Sequence, residues 1–243
     1  MTTQDFQAAQ SFRPAPYRDV DVDLGGLAVP YAGQTRMRLT ITSGMADACV
    51  RIDPDATDLL AIAYGDDLSP RVRVSSSELR VSWPSTMWSW LCATLAGEDR
   101  DIEIVLHPAV EWTLQFRGGL SRFEADLTAG KLARLEISGG VSDVRFDLPA
   151  ATGVVPIRIS GGASELGLRR PADTGIALDV RGGIAGLSLD DHGIGAIGGH
   201  ARLAAGLVHG DTPRYALEIS GGASGLQIVP HGVGRAHPPL TPS

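Results

Sequence analysis

Hydrophobic residues recur at a fixed interval along residues 112–229. Glycine pairs begin at Gly118, Gly139, Gly161, Gly182 and Gly221; the first four lie 21, 22 and 21 residues apart, and the last gap is 39. Four and two residues before the first glycine stand Leu114 and Phe116, Leu135 and Ile137, Ile157 and Ile159, Leu178 and Val180, Leu217 and Ile219. Two residues after it stand Leu120, Val141, Ala163, Ile184 and Ala223. Five and seven residues after it stand Phe123 and Ala125, Val144 and Phe146, Leu166 and Leu168, Leu187 and Leu189, Leu226 and Ile228. Apolar residues at every second position mark a strand with one buried face. The parity changes between the second and fifth positions after the glycine, so a turn or bulge must lie between them if both stretches face one core.

Each copy therefore predicts a strand, a Gly-Gly corner, a short step, a second strand and a loop. The loops DLPAATG, RRPADTG and DDHGIG are built of turn formers. Glycine at the corner permits a positive φ and a close approach of the neighbouring coil's backbone. One such copy buries too little apolar surface to offset the entropy of ordering it, and stacked copies share a continuous core. The fold class that follows is all-β: a single-stranded β-solenoid, a β-helix-like stack of coils of about 21 residues.

Two weaker copies extend the array. Around Ser43–Gly44 the corresponding positions hold Leu39, Ile41, Met45, Ala48 and Val50. Around Gly198–Gly199 they hold Ile194, Ala196, His200, Leu203 and Ala205, which puts a histidine at an inward position and makes this a looser coil or a loop. Residues 51–112 lack the glycine pair but read as strands at DLLAIAY, RVRVS, ELRVSW and DIEIVLH, continuing or flanking the stack. The expected organisation is an extended N-terminal arm over 1–33, a solenoid domain over 34–229 with its Gly-Gly repeats in 112–229, and a Pro-rich disordered tail over 230–243.

The segment SWPSTMWSWLCATLAG, residues 82–97, departs from the pattern and holds three of the four tryptophans. After Pro84, residues 85–96 predict a short helix with Ser85 as N-cap and Gly97 as stop. Trp88, Leu91, Cys92 and Leu95 fall on one face. One reading is a cap over an open sheet edge. The other is an interaction surface made by Trp83, Trp88, Trp90, Leu91 and Leu95.

The layout resembles the bacterial putative-adhesin β-solenoids nicknamed toastrack domains, and more loosely the bactofilin-like stacks. The stretch EDRDIEIVLHPAVEWTLQFRGG (98–119) matches the family's acidic alternating strand and the Val-rich strand after it, and the Ile-Ser-Gly-Gly runs stand where the family has short strands punctuated by Gly-Ser-Gly-Asp. The resemblance covers residues 36–229. It implies the solenoid fold and the role of an adhesin-like or structural module, and it lends no catalytic residue.

Composition narrows the function further. A net charge of −7 with acidic and basic residues interspersed excludes a nucleic-acid face. Residues 82–97 contain no basic side chain, which argues against attachment to a membrane surface. Cys49 and Cys92 form no CxxC or zinc spacing. No leader pattern or long apolar run is seen, and the expected location is cytoplasmic. The third residue after each glycine pair is Asp143, Glu165 or Gly225, which breaks the order that calcium-binding nonapeptide repeats need. The acidic clusters at 65–67, 97–101 and 189–193 sit at turns, and the histidines show no ligand spacing. Outward Arg145, Arg158 and Arg169 have no visible column of carboxylates beside them, as a polysaccharide-cleaving β-helix would need. The expectation is a non-catalytic scaffold or adhesin-like interaction module without a cofactor, partnered by another protein or by a second copy. The alternatives are envelope attachment through the tryptophans and, behind that, a polysaccharide-acting enzyme.

Overall fold

The computed structural model describes residues 18–19, 26–64, 69–83, 102–206, 208, 210 and 212–231. Two sheets of ten strands each face one another across a thin core. Most strand pairs are parallel, and no helix occurs among the described residues. The helix expected over 85–96 lies outside the described residues.

Each repeat contributes one strand to either sheet. The coils run β3 (Arg36–Ile41) to β4 (Met45–Ile52), β9 (Glu111–Phe116) to β10 (Leu120–Asp126), and β11 (Lys131–Ile137) to β12 (Val141–Asp147). They continue as β13 (Val154–Ile159) to β14 (Ala163–Arg170), β15 (Gly175–Val180) to β16 (Ile184–Leu189), and β19 (Arg214–Ile219) to β20 (Ala223–Pro230). The apolar positions superimpose as the pattern requires. Ile41 pairs with Phe116, Phe116 with Ile137, Ile137 with Ile159, Ile159 with Ile219 and Ile219 with Val180. Aromatic rings fill the thin interior: Phe116 of one sheet meets Phe123 of the other edge-on, centroids 5.4 Å apart, and Phe123 meets Phe146 at 5.8 Å.

The order of coils in space is not their order in sequence. The coil β19–β20 lies between β13–β14 and β15–β16. The 39-residue gap in the glycine beat is filled by β17 (His192–Ile197) and β18 (Ala201–Ala205), which pair antiparallel with β16 and β15. These strands close one end of the stack rather than adding a coil. Ile194, Leu203 and Ala205 pack on the core as the spacing requires, but His200 directly precedes the buried Ala201 and is out of phase with it, so its ring lies exposed against Asp179, contrary to the inward position read from the sequence.

The other end is closed in the same way. The strands β7 (Glu78–Ser82) and β8 (Ile102–Leu106) form a further parallel coil against β3 and β4. The strands β5 (Asp58–Ala63) and β6 (Arg71–Val74) cover it antiparallel. Beyond these lie β1 (Arg18–Asp19) and β2 (Gly26–Pro30), each antiparallel to its neighbour and both within the stretch read as an arm.

The first glycine of each corner owes its identity to crowding. A Cβ on Gly118 would stand 2.5 Å from the Gly44 backbone, one on Gly139 2.7 Å from Gly118, one on Gly161 2.6 Å from Gly139, and one on Gly221 2.8 Å from Gly161. Gly183 alone among the ten corner glycines of the five main copies has a positive φ, so the positive φ expected at the corners is found at one of them. Close approach, and not backbone handedness, therefore selects glycine at the first position of the pair. The ladder runs unbroken through the corner, with Leu120, Val141 and Ala163 donating to the carbonyls of Gly140, Gly162 and Gly222.

The parity step is a single left-handed residue four positions after the first glycine. Asp47, Arg122, Asp143 and Glu165 all have φ between 46° and 55°, and Gly186 and Gly225 occupy the same place at 71° and 62°. One residue in this conformation turns the following side chains to the opposite parity, which is how both strands keep their apolar residues inside.

Tyr215 is fully buried and its hydroxyl donates to the Pro149 carbonyl at 2.6 Å. Burial pushes its phenol up from the ordinary value. A group that holds its proton more tightly when folded contributes stability that is complete below its unfolded pKa of about 10 and declines as pH rises beyond it. Tyr215→Phe is expected to cost about 1–3 kcal/mol at neutral pH, by leaving the Pro149 carbonyl unpaired. The variant is also expected to lose less stability than the parent above about pH 10, and denaturant melts across that range check both.

Candidate functional site

The two ends of the tryptophan-bearing segment are placed by the stack itself. Val81 pairs with Ile41, and Ile102 pairs with Ala48. In a regular coil the corresponding residues, such as Ile137 and Val144, are seven apart and joined by the Gly-Gly corner; here they are 21 apart. Val81 and Ile102 thus flank the corner of this coil, at the edge where the glycines line up, and the sequence between them stands where the Gly-Gly pair would be. Trp83 follows β7, is half-buried and packs on the core, and its Nε1 is buried with no hydrogen-bond partner among the described residues. Trp88, Trp90, Leu91 and Leu95 lie outside the described residues, as do the acidic clusters at 65–67 and 97–101.

The same edge carries two columns of hydroxyls. Ser138, Ser160 and Ser220 precede the glycines, and Ser121, Ser142, Ser164 and Ser224 follow them in register. Toward β17 the edge is hollowed into a shallow depression of about 460 Å3, bounded by Gly182, Gly183, Ile197, Gly222 and Ala223. No titratable side chain lines it.

Both outer faces are covered by ion pairs that join successive coils. On one sheet Arg51 meets Glu103 at 2.6 Å, Arg122 meets Asp47, Arg145 meets Glu124 at 3.4 Å and Arg169 meets Asp147 at 3.7 Å. On the other, Arg36 meets Glu111 at 2.6 Å, Arg158 meets Glu218 at 3.4 Å, Arg181 also meets Glu218, and Arg202 meets Asp179 at 3.0 Å. Carboxylates do stand beside Arg145, Arg158 and Arg169, which corrects the sequence expectation, and each neutralises its neighbour. The Arg122 guanidinium holds the Asp47 carboxyl below the usual range, and His200 with Arg202 does the same to Asp179. Burial raises Asp147, against the pull of Arg169.

One pair is buried. Arg170, 1% exposed, ends β14 and sends both Nη atoms inward: Nη2 donates to the two Asp190 oxygens at 2.8 and 2.7 Å, and Nη1 to the Thr174 carbonyl at 2.8 Å. The sequence reading took the cluster at 189–193 for turn formers. Asp190 does turn the chain, at φ 50°, and it also neutralises this arginine.

The described histidines are not brought together. His107 stacks on Tyr31 with centroids 3.8 Å apart, His200 meets Asp179 at 2.8 Å, and His192 lies exposed in β17. Among the described residues no three His, Cys, Asp or Glu side chains are grouped as a metal ion would require. No helix among them is long and apolar enough to cross a membrane.

No family model matches the chain, and no curated protein is similar to it. Among solved structures it is similar to a putative cell adhesion protein from Clostridium sporogenes, at 17% identity and a TM-score of 0.56, over 88% of this chain and 100% of that one. The two share one fold. That likeness agrees, at the level of architecture, with the toastrack-type resemblance read from the repeats. It also overturns the expected cytoplasmic location, because cell adhesion, for which the solved protein is named, is work done at a cell surface.

Proposed function

We propose that this chain is a non-catalytic β-solenoid that serves at the cell surface as an adhesin-like interaction module. The observation that carries the reading is the replacement of one glycine corner by residues 83–101, which hold Trp83, Trp88, Trp90, Leu91 and Leu95. The stack neutralises its own outer faces, a tryptophan-rich sequence joins two strand ends at one corner, and tryptophan is among the residues that most often anchor a protein partner. The fold shared with a cell adhesion protein supports the same role.

Beads coated with the full chain are expected to attach to bacterial cells, and beads coated with a Trp88→Ser, Trp90→Ser, Leu91→Ser, Leu95→Ser variant are expected to attach no better than blank beads, with its thermal melt unchanged. Equal attachment by all three overturns the reading. So does release of products from a glycan panel, which would make the chain an enzyme. Pelleting with neutral or anionic phospholipid vesicles, lost in the same variant, would replace a protein partner with the bilayer.

A further inference from the structure

The out-of-order coil suggests a partner that the surface reading does not. The strands β19 and β20 fill a slot whose two walls are β13–β14 and β15–β16. The walls are in phase with each other. Ile157 and Leu178 both pair with Leu217, and Ile159 and Val180 both pair with Ile219. On the other sheet Ala163 and Ile184 both pair with Ala223, and Leu168 and Leu189 both pair with Ile228.

Three side-chain features mark the slot as made for this coil. Glu218 is held by Arg158 of one wall and Arg181 of the other. Ser224 lies 3.4 Å from Ser164, oxygen to oxygen. Tyr215 reaches the Pro149 carbonyl. Every one of these contacts joins the coil to residues that precede it in the chain. An identical coil from another molecule makes the same set, so only the connection from Ala205 to Arg214 distinguishes an internal coil from a borrowed one. That connection passes across the end of β15, because Ala205 and Tyr215 pair with opposite edges of Ile176. The coil thus enters between two walls that are both earlier in the sequence, and while it is out the slot accepts any copy's coil.

We propose that residues 214–230 are an exchangeable coil through which two copies of this chain join, each lending the coil to the other's slot. Such exchange of an identical element makes a closed dimer with no new interface chemistry. The proposal is independent of what residues 83–101 bind, so its failure leaves the adhesin-like reading untouched, and the reverse also holds.

The test uses full-length chains carrying Cys49→Ser and Cys92→Ser. One also carries Ser164→Cys, the other Ser224→Cys. They are unfolded together in denaturant, refolded at high concentration and oxidised. The expected result is a disulfide-linked species of twice the chain mass that disappears on reduction. It should be absent when the two chains are refolded apart and mixed only when native. It should also be absent when Ser121→Cys, in the same column but three coils from Ser224, replaces Ser164→Cys. A cross-link no more abundant than in those two controls overturns the proposal, and so does light scattering that finds the unsubstituted chain monomeric after refolding at every concentration.

Discussion

Alanine in place of Gly139 is expected to lower stability by about 3 kcal/mol, at the upper end of what overpacking costs. For a domain of this length that is a fall of about 6–12 °C in melting temperature. The added methyl would stand 2.7 Å from the carbonyl carbon and oxygen of Gly118 and from the nitrogen of Gly119. All three are backbone atoms of the adjoining corner, fixed between the Arg117 N–H, which donates to the Ile41 carbonyl, and the Gly119 carbonyl, which accepts from Met45. Gly140→Ala, one residue along the same corner, is the control. Its methyl would meet nothing closer than the Gly162 carbonyl at 3.5 Å, and its φ lies outside the left-handed region. There alanine restricts the unfolded chain without a clash, and the expected change is a gain of about 0.4–1 kcal/mol. Thermal melts of the two variants beside the parent decide the matter: a cost shared equally by both would place the reason for the glycines in backbone conformation instead of crowding.

The second large effect is expected at Asp190. Asparagine keeps the size of the side chain and tolerates the φ of 50° found there, so Asp190→Asn removes little but charge. Arg170 would be left buried and uncompensated, for which about 3–5 kcal/mol is expected. Replacing both, as Arg170→Met with Asp190→Asn, is expected to recover most of that loss, because the pair repays its own desolvation poorly. Urea unfolding of the two single variants and the double closes the cycle. A double variant as unstable as Asp190→Asn alone would mean that the pair does more than neutralise itself.

The apolar alternation made the two-strand coil legible, down to the parity step, because each inward residue must meet its counterpart above and below. Leu39, Ile41, Met45, Ala48 and Val50 were placed correctly by it without a full glycine pair. The same regularity hid the order of stacking. When every coil offers Leu or Ile at the same heights, the hydrophobic pattern fits any coil onto any other. Neighbour identity resides in the charges instead: Glu218 has an arginine on either side only if its coil lies between Arg158 and Arg181. The reversal of the strands over 192–205 is hidden for a related reason. Alternation has no direction, so Ile194, Leu203 and Ala205 face the core at the spacing of a regular coil although their strands run antiparallel to it. As for the candidate site, the tryptophan cluster is recognisable from composition, but that the strands on either side of it meet at a corner is visible only from the pairing of Val81 and Ile102 with the neighbouring coil.

The extremity at β17 and β18 is sealed by strands that run against the grain of the windings beneath them. A stack so closed cannot lengthen at that tip by tandem duplication, because an appended repeat would meet a strand of the wrong polarity. New repeats enter more readily between two existing floors, which is where the Arg214–Pro230 floor already sits.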